Sequence, residues 1–185
     1  GRLSAIMDIF REAEFATVMQ QDAPLGSEAD IARVHAPGLA AAVLAAVPAN
    51  GHAALDADTI LSSGSGKAAL RAVGAVTSAV DAVMTGTASN AFCAVRPPGH
   101  HAEPSQAMGF CLFNSIAIAA RHAQAVHGAK RVAIVDFDVH HGNGTQTVVE
   151  TDPSLFFASS HQYPLYPGTG AAGETGLGNV VNAPL

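Results

Sequence analysis

The sequence predicts an α/β fold, a parallel sheet with helices on both faces. Two patterns carry this. Short apolar runs of strand type at 91–95, 131–135 and 154–159 alternate with helical patterns at 114–126 and 145–150. That order is strand, helix, strand, helix, strand, which makes crossover units, and parallel strands buried on both faces read as continuous apolar runs. The second pattern lies just beyond each run: a polar or Gly/Pro-rich loop, at the strand ends where such sheets bind ligands.

The elements are read in order from the amino end. Ile6, Ile9, Phe10, Phe15 and Val18 recur at helical spacing, so a helix is expected from Ser4 to Gln20. The break at 24–27 is succeeded by Ser27-Glu28-Ala29-Asp30, which reads as a cap opening a short helix that ends near His35. Pro37 opens another helix running through Val47, and Asn50-Gly51 is a turn signal. A long helix is expected from about Lys67 to Met84, with Leu70, Val73, Val76, Val80 and Met84 as its core stripe. Beyond Asn90 the alternation of strands and helices begins. On the helix at 114–126, Arg121 and Gln124 fall on the wet face.

Composition narrows the function. The chain has 185 residues, 49% hydrophobic and 13% charged, enough for one domain with one sizeable core. The formal charge is −6 with no basic block, which argues against nucleic acid as a partner. The longest apolar runs stop well short of a membrane span, and no basic-then-apolar leader is present, so no membrane partner and a cytoplasmic location are expected. Cys93 and Cys111 are expected as free thiols. Nothing marks an oligomer interface.

Two histidine clusters carry the chemistry. One is Arg96-Pro97-Pro98-Gly99-His100-His101; the other runs from Asp136 to Gly144 and holds Asp138, His140, His141 and Asn143. If the strand stays extended, Asp138 and His140 share a face, roughly 7 Å apart at Cα, so both can bind one ion. Carboxylate plus imidazole suits zinc, iron(II) or cobalt(II), and a catalytic site needs a further protein ligand from elsewhere. Asp136 is too far along the strand to share that ion and is better placed to orient an imidazole. His100 and His101, on a loop, can both face a substrate and move protons for a metal-bound water, with Asp136 and Asn143 as orienters. His35, His52, His122 and His127 are read as structural, and His161 stays open. Gly168-Thr169-Gly170 is a turn, not a phosphate loop.

At these residues the chain resembles the histone deacetylase superfamily, including class II deacetylases, bacterial deacetylase-like amidohydrolases and acetylpolyamine amidohydrolases. The matching segments are RPPGHHAE (96–103), GFCLFN (109–114), VAIVDFDVHHGNGTQ (132–146), SSHQYPLYPGTG (159–170) and GNVVNAPL (178–185). The resemblance implies a three-layer arginase/deacetylase-like fold, of which residues 1–185 are the N-terminal part of one catalytic domain. It implies zinc on Asp138 and His140, His101 as general base and acid, and His100 as electrostatic helper. Asp136 pairs with His100, and Asn143 with His101. Gly109, Phe110 and Tyr166 line the acyl channel. A potassium ion is implied near Asp136, Asp138, His140 and Ser159. The implied reaction is hydrolysis of an acetylated amine by a zinc-activated water, with acetyl-lysine or an acetylpolyamine as substrate. The family's third zinc ligand, an aspartate, and its catalytic tyrosine are expected outside these 185 residues. The isolated chain is therefore expected to hydrolyse little, and a non-catalytic metal-binding module is the remaining reading.

Overall fold

A computed structural model describes residues Gly1–Leu185. The amino end departs from expectation. The single helix expected over Ser4–Gln20 is α1 (Arg2–Ile9) and then one 3₁₀ turn at Ala13–Phe15. No residue of α1 is buried, and Ile9 and Val18 are about half exposed. Phe10 packs on Phe15 and Phe92, at 5.2 and 5.5 Å between ring centroids, and a helix of this length with so little support has little stability of its own.

The next elements obey their local signals. Ser27 and Asp30 form a reciprocal capping box at the start of α2 (Glu28–Ile31). α3 is Leu39–Ala45. A small antiparallel hairpin, β1 (His52–Ala54) and β2 (Ile60–Ser62), comes next, and the sequence does not predict it. Its turn is held by Asp56, whose carboxylate accepts the Asp58 and Thr59 backbone N–H groups. α4 is Ser65–Met84. Its core face is Gly66, Ala69, Ala72, Val73, Gly74 and Thr77 rather than the expected leucine/valine stripe. Of that stripe only Val73 is buried, and Met84 is exposed. Small residues take the inward positions because neighbouring chain lies directly on the helix: the Gly26 N–H donates to the Leu70 carbonyl at 2.8 Å.

α5 (Ser115–His127) is the central helix. The Asn114 side chain caps it by accepting the Ala117 N–H, and Gly128 ends it in the left-handed region. Ile118 packs into one core with Ile31, Leu61, Val73 and Phe113. Ala117 and Ala120 pack into a second with Ile134, Val149, Leu155 and Phe157. Arg121 and Gln124 are half-buried and tether the helix to the chain entering the sheet, through Asp152 and Ser154.

The sheet is parallel, as expected. β3 (Val132–Asp136) pairs with β4 (Leu155–His161), which pairs with β5 (Val180–Pro184), and α6 (Asn143–Val149) crosses between the first two. β5 is a strand that the sequence does not predict. Residues 91–95, expected as a strand, form no ladder. Their one internal backbone bond is Val95 N–H to Cys93 O, and Phe92 is exposed. An apolar run becomes a strand only when a neighbour takes its backbone hydrogen bonds, and none does here.

α5 and α6 cover one face of the sheet, while Val135, Phe156 and Val181 on the other face are exposed. Along β4 the buried residues change from Leu155 and Phe157 to Ser159 and His161. The covered face is thus apolar where the strand enters and polar at its carboxyl end. Cys111 is buried among the groups below that end, and burial pushes its thiol up to about 12. It is expected to resist iodoacetamide at pH 8 in the folded chain and to react after denaturation, by mass spectrometry of the alkylated protein.

Candidate active site

The two histidine clusters meet beside the end of β3. His100 and His101 stand with ring centroids 4.0 Å apart. The Nδ1–H of His100 donates to Asp136 Oδ2 at 2.8 Å. The Nδ1–H of His101 donates to Asn143 Oδ1, also at 2.8 Å. Each expected orienter therefore sits on its expected imidazole, 36 and 42 residues away in sequence.

Asp138 and His140 do not lie on an extended strand. β3 ends at Asp136, whose carboxylate accepts the Asp138 N–H, and the Asp138 carboxylate accepts the His140 N–H in turn. Aspartates bonding backbone two residues on curl the chain. The curl still brings the two side chains together, with Asp138 Oδ1 and His140 Nδ1 3.3 Å apart and both partly exposed. Tetrahedral zinc bonds of about 2.0–2.1 Å put neighbouring donors roughly 3.3 Å apart. The pair therefore has the separation and the donor chemistry of two zinc ligands. No third His, Cys, Asp or Glu of the chain joins them.

The three donors of this chain that do approach one another are Asp81, His122 and His127, on α4 and α5. One oxygen of Asp81 accepts both Nε2–H groups, at 2.7 and 2.6 Å. Those are hydrogen-bond lengths, shorter than the spacing of donors around zinc, and the group lies roughly 12 Å or more along α5 from Asn114. The structural reading of His122 and His127 holds for this network.

Tyr166 stands edge-on over His101 at 5.0 Å and near His140 at 6.0 Å, between centroids. Gly109 and Phe110 form a tight turn between Met108 and Cys111, both with positive φ. At Gly109 a Cβ would come within 2.6 Å of the His101 ring, so the turn can lie against the imidazole only as glycine. Phe110 is exposed, its N–H donating to the buried Thr59 hydroxyl of the hairpin. Ser159 lies in register with Asp136, and its hydroxyl is bonded to His161 Nδ1. His161 is thereby settled as buried and fully bonded, its Nε2 donating to the Gly170 carbonyl. His141 is likewise bonded on both nitrogens, by Thr169 and Gln146.

Sequence reading misses Glu103, while His35, read as structural, is buried in that role. The Asn143 amide donates to Glu103 Oε1 at 2.7 Å, and His35 bridges the Glu103 carbonyl and the Asn114 N–H. Glu103 is legible only as part of a matching segment, because the contact spans 40 residues.

Burial, with the His100 charge second, pushes the His101 imidazole down to about 4. His35 and His141 are lowered as well, each first by burial. Burial is the largest single influence on Asp136 and would raise it, but the hydrogen bond and charge of His100, the Asp138 N–H and the His101 charge together hold the carboxyl below its ordinary value. An imidazole depressed in the fold binds fewer protons folded than unfolded between the two values. Its stability contribution is complete above about 6.5 and is lost as pH falls towards 4. For His101 this is on the order of 3 kcal/mol. The urea midpoint is expected to drop steeply between pH 7 and 4.5; a flat profile there would contradict the assignment.

The histone deacetylase domain matches residues 1–185, the whole chain. The chain belongs to the histone deacetylase family. The histone deacetylase-like amidohydrolase of Pseudomonas aeruginosa is 40% identical over 189 residues, covering 100% of this chain and 49% of that protein. Histone deacetylase 14, chloroplastic, of Arabidopsis thaliana is 49% identical over 125 residues, 63% of this chain and 30% of that protein. The crystal structure of the HDA15 HD domain superposes with a TM-score of 0.94 at 39% identity, covering 99% of this chain and 53% of that one. The family's α/β architecture is thus shared along the chain, which spans about half or less of the length of these relatives. No helix is long and apolar enough to cross a membrane.

Proposed function

We propose that the protein carrying this chain is a zinc-dependent amidohydrolase that removes acetyl groups from acetylated amines. The observation that carries this is the pair of dyads, His100–Asp136 and His101–Asn143, beside the Asp138–His140 donor pair. Asp138 and His140 would hold the metal, with a third ligand from outside these residues. Bound there, zinc supplies a polarised acetyl carbonyl and a water acidified towards neutrality.

The chain's own residues do the proton work. His101 is neutral at pH 7 and bonded through Nδ1 to Asn143, so Nε2 is its bare basic nitrogen. It accepts the water proton and returns it to the leaving amine. His100, bonded to the Asp136 carboxylate, adds positive potential beside the reacting carbonyl. Gly109, Phe110 and Tyr166 form walls that orient the acyl group and exclude water. The register of Asp136 with Ser159 supports a potassium site that also uses Asp138 and His140. Free Cys93 and Cys111 fit the cytoplasm as the setting.

The substrate class is tested on the full-length protein with an acetyl-lysine peptide, an N-acetylpolyamine and a trifluoroacetyl-lysine reporter, before and after chelation and zinc return. Turnover that disappears with chelation and returns with zinc is expected. Faster turnover of the polyamine would favour an acetylpolyamine amidohydrolase. A zinc-loaded protein inert towards all three would leave the non-catalytic metal-binding reading, which the two-donor site favours for the isolated chain.

A further inference from the structure

We propose that Glu103 is a positioning residue that fixes the tautomer of His101 by fixing the orientation of the Asn143 amide. The inference rests on the proposed role of His101 and goes beyond it to a residue two positions along the same loop.

The Asn143 side chain has two ends of similar shape and opposite polarity. Either end could face His101, and the two choices have opposite consequences. With Oδ1 towards the ring, Nδ1 must carry the hydrogen and Nε2 is left bare. With Nδ2 towards the ring, Nδ1 must accept, the hydrogen moves to Nε2, and the nitrogen facing the site can no longer take a proton. Nothing in the His101–Asn143 pair itself selects between these.

Glu103 does select. Its Oε1 lies 2.7 Å from Asn143 Nδ2, and a carboxylate can only accept. The flipped amide would place its oxygen against that carboxylate, losing a charge-assisted hydrogen bond and setting two acceptors in contact. The other Nδ2 hydrogen has only the weak acceptor Met108 Sδ, 3.5 Å away. Glu103 therefore supplies the preference.

The Glu103 backbone is itself held from the interior. The Asn114 N–H donates to His35 Nε2 at 2.9 Å, so the His35 hydrogen is on Nδ1, which donates to the Glu103 carbonyl at 3.0 Å. The Glu103 N–H donates to the Gln106 carbonyl at 2.9 Å. A fully bonded, buried histidine thus anchors Glu103, Glu103 orients Asn143, and Asn143 sets which nitrogen of His101 is basic.

The test has a direct readout on this chain. Histidine-ring nitrogen NMR at pH 7 should show His101 as the Nδ1–H tautomer in the wild type, and less completely in Glu103→Gln, whose amide can donate as well as accept. Glu103→Leu should shift it towards Nε2–H. In the full-length protein Glu103→Leu should lower kcat roughly tenfold with KM within about twofold, as expected for loss of one charge-assisted hydrogen bond. Glu103→Gln should fall between Glu103→Leu and the wild type. In an Asn143→Ala background Glu103→Leu should cost nothing more, whereas a general structural defect would persist. An unchanged tautomer or an unchanged kcat in Glu103→Leu overturns the assignment. If Asn143→Ala alone keeps wild-type kcat, the underlying reading of His101 fails instead.

Discussion

Gly144→Ala is expected to destabilise the chain by about 4 kcal/mol and to lower its melting temperature by roughly 10 °C. Gly144 lies in the first turn of α6, under the first histidine loop. A Cβ built there would come within 2.2 Å of the Ala102 carbonyl oxygen and 2.8 Å of the His101 carbonyl carbon. Both obstacles are backbone, so no rotamer change relieves them. The loop would have to retreat by roughly 1 Å to restore ordinary contact. That retreat breaks the bond from the Thr145 N–H to the His100 carbonyl and strains the one from Asn114 Nδ2 to the Ala102 carbonyl. Both are buried or nearly so, and each orphaned group carries its own desolvation cost. The same movement lifts His101 away from Asn143, so stability and dyad geometry should fail together. Gly173→Ala is the control, since its Cβ meets nothing within 4 Å. It should melt within about a degree or two of the wild type. Equal melting of the two variants would show that the loop does not rest on α6.

Whether a feature is legible in the sequence depends on where its interaction partners lie. The Asp136–Gly144 segment can be read because its donors, turns and orienter are contiguous, so their types and spacing constrain their chemistry. The capping box at Ser27 can be read for the same reason. The hairpin β1–β2 and strand β5 cannot, because three- to five-residue strands exist only through their partners. Residues 91–95 show the converse: strand-like composition with no partner to take the hydrogen bonds. In α4 the helix is legible and its buried face is not, since close approach of another segment favours glycine and alanine over the bulkier residues that hydrophobicity selects. Glu103 is hidden because its role depends on an amide whose orientation no sequence pattern records.

In the full-length protein, His101→Ala is expected to lower turnover by about 10²–10⁴-fold, the range contributed by a general acid–base group, while bound zinc and KM change little. The imidazole's contacts give the reason. Its Nδ1 is committed to Asn143, its faces are covered by His100 and Tyr166, and its edge by Gly109, leaving Nε2 as the free nitrogen. The residue is 4% exposed, so solvent cannot substitute freely for it. Asp138 and His140, the proposed metal ligands, are held by backbone bonds of their own segment and should keep the metal when His101 is removed. Truncation also leaves a void beneath Gly109 and an unpaired Asn143 oxygen, which could lower turnover through disorder alone. His101→Phe separates the two causes, because it fills the void and restores the contact with Gly109 but has no nitrogen. If loss of the proton acceptor is what matters, the phenylalanine variant should be as slow as the alanine variant while regaining part of its melting temperature. A phenylalanine variant that recovers turnover along with stability would assign His101 a packing role and remove it from the proton path.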